Sequence, residues 1–168
     1  MNVAIANPLS LDRLAGMSVR ELDACYRAGE VPEDLSELDA VSNARMLTVR
    51  GLLGRGLLQR AVKRLAASGA FPWRGKRFSS VDAGHGTGIN RVKLAGTRTW
   101  FPFETRLDAS AIDGLPCILL DYDKPENPLV IRHIRDELRR VGPGLYLGPA
   151  MANVGGQAHL ALWFAVER

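Results

Sequence analysis

Sulfur and imidazole are scarce in this chain: its 168 residues hold two cysteines and three histidines. Cys25 and Cys117 each stand in an apolar segment with no second sulfur or histidine nearby, so they read as small buried hydrophobes rather than as a disulfide or as ligands. One histidine, His133, falls in an expected helix and none is paired at short spacing, so no metal is expected. No apolar run approaches the roughly 20 residues of a membrane-spanning helix. The opening segment MNVAIANPLSLDRLAGM has no basic region, and Asn7 and Pro8 break its apolar stretch, so a cytoplasmic location is expected. There is no G-x-S-x-G elbow and no plausible Ser/His/Asp order, which gives hydrolase chemistry little support. Nothing calls for a cofactor.

What is present is an ordinary globular composition, 46% hydrophobic and 24% charged, in a length suited to one domain. The net charge of +4 conceals an uneven distribution. Residues 1–44 carry eight acids against Arg13, Arg20 and Arg27, whereas residues 45–77 carry nine basic side chains and no acid. Such a run could contact nucleic acid or anionic lipid. The alternative, that the acidic segment folds near the basic one, is favoured, and no nucleic-acid partner is expected.

Ser18-Val19-Arg20-Glu21 is a capping box, and Val19, Leu22 and Tyr26 follow at helical spacing, which predicts a helix over 18–28. Met46–Val49 alternates as a strand would. Leu57, Leu58, Ala61, Val62 and Leu65 predict an amphipathic basic helix ending at Gly69. After Pro72 the texture changes to glycine, threonine and aromatics. Strands are expected at Lys76–Ser80, Ile89–Leu94, Thr99–Leu107 and Cys117–Tyr122, followed by a loop at 123–128. Ile131, Ile134, Leu138 and Val141 then form a helical stripe. Two final strands, Leu145–Met151 and His159–Glu167, turn at Gly155-Gly156. In the last strand Leu160, Leu162, Phe164 and Val166 share one face, while His159, Ala161, Trp163 and Ala165 share the other. A strand apolar on both sides suits a sheet with a helix outside and a packed or ligand-filled concavity inside. The expectation is a single α+β domain. Its helical part covers 1–69, and a curved antiparallel sheet covers 70–168 with one helix inserted before the last two strands.

Trp73, Gly75, Lys76 and Phe78 form a W-x-G-K-x-F segment. With Leu120-Asp121-Tyr122-Asp123 and Tyr146-Leu147-Gly148 it resembles bacterial lipocalin-like (calycin-type) small barrels over residues 70–168. The sequence departs from lipocalins proper in lacking the G-x-W order and in placing a helix between strands. The resemblance implies a barrel with a cavity for a small apolar or amphipathic molecule, used for binding or for isomerisation or cyclisation.

Gly84-His85-Gly86-Thr87-Gly88 has the look of a phosphate loop, but a strand rather than a helix follows it, which favours a hairpin turn. Asp121 and Asp123 could be paired carboxylates or a hard-metal site; the proline-rich loop after them favours turn-capping. Expected ligand-binding residues are Trp73, Phe101, Phe103, Tyr122 and Trp163. The candidate acid/base groups, should the cavity do chemistry, are Glu104, His159, Tyr146 and His85. Three readings follow. The first is a binder of a small apolar molecule, the second a non-metal isomerase or cyclase using the same cavity, and the third a basic interaction module built on residues 45–77.

Overall fold

The computed structural model describes residues 9–49, 73–93 and 97–168. The expected basic helix at 56–69 lies outside the described residues. Eight antiparallel strands close into a barrel in chain order: β1 Val41–Val49, β2 Trp73–Ser80, β3 His85–Lys93, β4 Thr97–Ala109, β5 Pro116–Asp121, β6 Ile134–Gly142, β7 Leu145–Val154 and β8 Gln157–Glu167. β1 pairs with both β2 and β8, so the ring has no free edge. Among the described residues the helices are short: α1 Leu11–Ala15, α2 Val19–Arg27, a 3-10 turn at Leu35–Leu38, and the single-turn α3 Leu129–Arg132.

Alternation sorts the strands into two cores. Inside the barrel, Phe78, Phe103, Ile118, Leu120, Tyr122, Leu138, Tyr146, Leu162, Phe164 and Val166 pack together. Leu35 and Leu38 of the 3-10 turn join this cluster from the end of the barrel where β1 begins. Outside, α1 and α2 cover β7 and β8 through Leu14, Leu22 and Tyr26 against Leu145, Leu147, Trp163 and Ala165. The Ser18–Glu21 capping box starts α2 as the sequence indicates.

The helix expected over Ile131–Val141 is instead α3 followed by β6. The reason is electrostatic. Arg135, Glu137 and Arg139 alternate on the outer face of β6, and Glu137 and Arg139 are almost completely buried there. Glu137 accepts hydrogen bonds from the Tyr26 hydroxyl at 2.8 Å, Ser110 Oγ at 2.6 Å, Ala111 N–H at 2.8 Å and Arg135 Nε at 2.7 Å. Arg139 forks onto Asp113 at 2.7 and 2.8 Å and stacks on the Tyr26 ring at 4.4 Å. These charges pin α2 and the β4–β5 loop to the barrel. A reading that takes charge for exposure assigns them to a solvent face and finds a helical stripe where a strand is buried on both sides.

The glycine cluster divides between turn and strand, since Gly86 and Gly88 lie within β3. The Phe103 ring occupies the space that a side chain on Gly88 would fill. A register shift in β8 changes the parity of its faces. Leu160 therefore joins the outer cluster, although Leu162, two residues on, points inside.

Candidate functional site

The interior of β2 sets the site. Gly75 has φ +143° and a Cβ there would overlap the Ser42 carbonyl oxygen, so only glycine lets β2 approach β1 this closely. The next residue, Lys76, shares a face with Phe78 and therefore enters the barrel, where it is 1% exposed. Its ammonium donates to Asp136 Oδ2 at 3.0 Å, Asn90 Oδ1 at 3.0 Å and the Tyr122 hydroxyl at 2.5 Å. The rings of Trp73, Phe103, Tyr122 and Phe164 surround it at 5.0–5.3 Å. Burial lowers the Lys76 pKa from the ordinary lysine value, and Asp136 opposes that shift. Burial beside Asp136 raises the Tyr122 pKa.

Around this polar centre lies a cavity of about 140 Å³, lined mainly by Met46, Trp73, Phe101, Ile131, Leu162 and Phe164, with Lys76, Asn90, Tyr122 and Asp136 on its wall. It sits toward the end of the barrel opposite the 3-10 turn, where α3 contributes Val130 and Ile131. Phe101 stands at a bulge where β3 and β4 slip register, with φ +56°. That left-handed conformation costs a bulky residue about 1–3 kcal/mol. It turns the Phe101 carbonyl toward Asn90 Nδ2, which donates to it at 3.2 Å.

Of the expected ligand-binding residues, Trp73, Phe101 and Tyr122 line the cavity. Phe103 packs against Tyr122 with ring centroids 5.2 Å apart and is fully buried. Trp163 lies outside the barrel, 5.5 Å from the Tyr26 ring. The acid/base candidates are not brought together. Glu104 is exposed and paired with Lys124 at 2.6 Å. His85 is exposed beside Asp82 at 3.1 Å, and His159 is exposed on β8. Tyr146 is buried inside with the cluster that includes Leu35 and Leu38, and burial raises its pKa. Asp121 accepts from Asp123 N–H at 3.0 Å and from Arg106 at 2.9 Å, as a turn-capping aspartate does. Among the described residues no group of three or more His, Cys, Asp or Glu side chains is placed to hold a metal.

Lys76, Asp136 and Asn90 are the polar residues that the candidate set lacks. Lys76 was legible: alternation through Trp73–Phe78 puts it on the side of Phe78. Asp136 was hidden by the helical reading of β6, and Asn90 by the absence of any local pattern around it.

Comparison of the sequence with protein-family models and with curated proteins gives no match. Among solved structures, one titled "Crystal structure of protein from Thermomonospora curvata" is similar, with a TM-score of 0.53 and 17% identity over 90% of this chain and 88% of that chain. At that identity the likeness shows the fold alone. The class so defined is a small eight-stranded antiparallel barrel. No helix among the described residues is long and apolar enough to cross a membrane.

Proposed function

We propose that this chain is a lipocalin-like protein that binds a small, largely apolar molecule inside the barrel. The observation that carries the reading is the cavity of about 140 Å³, walled by aromatic and aliphatic side chains around one compact polar centre. Binding sites for small molecules have this composition, an apolar surround with few fixed polar groups. A dry cavity of similar size is known to hold a single aromatic ring, which sets the scale of the occupant. Native mass spectrometry of freshly purified protein, before and after adding toluene, tests the reading against an Ala150→Phe variant that fills the cavity from its wall. The wild type takes up a small molecule and the variant does not. Equal uptake by both places the binding elsewhere.

A second reading, acid–base conversion of the same molecule, is favoured by one observation: Lys76, Tyr122 and Asp136 form a hydrogen-bonded cluster on the cavity wall. It requires that Tyr122→Phe retain binding of a converted compound while its turnover falls by about 10²-fold or more.

A further inference from the structure

The polar centre can be counted donor by donor. Lys76 uses its three N–H donors on Asp136, Asn90 and Tyr122. The Tyr122 hydroxyl donates to Asp136 Oδ2 at 2.9 Å. Asn90 Nδ2 donates to the Phe101 carbonyl and the Tyr122 hydroxyl, both at 3.2 Å. Asn90 Oδ1 accepts from Lys76 and also from Trp73 Nε1 at 3.1 Å. One atom of the cluster is left over. Asp136, 5% exposed and on the cavity wall, has an Oδ1 that accepts no hydrogen bond from any of the described residues.

A buried carboxylate oxygen without a donor is costly, and the cost is relieved by whatever brings one. The amine that would attract an anionic ligand has no donor to spare, and its charge is already matched by Asp136. The unfilled position therefore asks for a donor and disfavours a second carboxylate. Lys76 by itself would suggest a fatty-acid type of ligand; the donor count opposes that.

We propose that the cavity selects a neutral molecule of about one-ring size that carries a hydroxyl or N–H group, with that group donating to Asp136 Oδ1. This rests on the cavity reading above, and the probes are chosen so that the two can fail separately. Toluene, benzyl alcohol and benzoate share one ring and differ only in the group on it. Their affinities for the wild-type protein are measured by calorimetry and compared with those of a Lys76→Met/Asp136→Leu double variant, in which the wall is apolar.

A hydrogen bond to a charged acceptor is worth roughly a tenfold or greater gain in affinity. The expected order for the wild type is benzyl alcohol about tenfold or more tighter than toluene, with benzoate weakest. In the double variant the alcohol's advantage disappears. Equal affinities of alcohol and toluene for the wild type overturn the donor proposal while keeping the cavity, because a trapped water would then already satisfy Asp136. Preference for benzoate overturns it in favour of an anion site on Lys76. Failure of all three to bind removes the cavity reading itself. The wild-type order decides the proposal even where the double variant does not fold.

Discussion

Removing one side of the Lys76–Asp136 pair should harm the fold far more than removing both. The two charges are 3.0 Å apart, at 1% and 5% exposure. At an effective dielectric constant of about 20 their attraction is on the order of 5–6 kcal/mol. Burying the two ions costs several kcal/mol each, so the intact pair adds little net stability. Lys76→Met leaves the buried Asp136 carboxyl group with only the Tyr122 hydroxyl as a donor, and Asp136→Leu leaves an ammonium held by a ring cage and two neutral oxygens. Each single substitution should therefore cost about 3–5 kcal/mol, a large part of the 5–15 kcal/mol typical of a domain. The double variant replaces both charges by apolar groups among aromatic rings, where a methionine sulfur packs well. It should cost less than either single one, with a coupling of about 3 kcal/mol or more. Urea unfolding of the four proteins followed by circular dichroism gives the cycle directly. Additive single costs, or a Lys76→Met protein within about 0.5 kcal/mol of wild type, would refute the placement of a charged pair inside the barrel.

Trp163 and Phe164 point to opposite sides of β8, and both are 1% exposed. Replacement by Ala should cost about 3–5 kcal/mol in each case, but only Phe164→Ala should disturb uptake of toluene; loss of uptake in Trp163→Ala with unchanged stability would place that indole in a cavity after all. The Arg139 fork lowers the Asp113 pKa from its ordinary value. The folded carboxyl thus binds its proton more weakly than the unfolded one, and its stabilisation, complete above the unfolded pKa of about 3.9, drains away as pH falls below it. Asp113→Asn should flatten the acid limb of a stability–pH curve relative to wild type, and an unchanged limb would count against the pairing. Within the basic stretch 45–77, Arg45 is engaged by Asp12 at 2.6 Å and Lys76 is buried inside the barrel. An electrophoretic titration with single- and double-stranded DNA at physiological salt should accordingly show nothing tighter than about 10⁻⁶ M; sub-micromolar binding would bring back the interaction-module reading.

The strands after residue 72 were legible because turns and alternation mark them plainly, and the Ser18 capping box located α2. β6 was not, because its outer face carries buried charges whose partners lie far away in sequence: Tyr26, Ser110 and Asp113. No local window shows that Glu137 meets Tyr26 across 111 residues. The site divides the same way. Trp73, Phe101 and Tyr122 announce themselves as aromatics in strands, and they do line the cavity. Glu104 and His159 were attractive as titratable groups among apolar neighbours, but Glu104 alternates with the inward Phe103, and both side chains are exposed to solvent. The leading polar residue, Lys76, sat within a quoted motif without a role, since a lysine between two arginines reads as surface until its parity with Phe78 is taken seriously.

The most direct test of the central claim, an interior cavity open to a small molecule, uses the chain's own methionines as reporters. Met46 lines the cavity and packs with the inner cluster, while Met17 packs against the outer core. In protein labelled with ¹³C at the methionine methyls, a benzyl alcohol titration should move the Met46 resonance along a saturable curve and leave Met17 in place. An unmoved Met46 signal at saturating alcohol, or a response confined to Met17, would contradict the account.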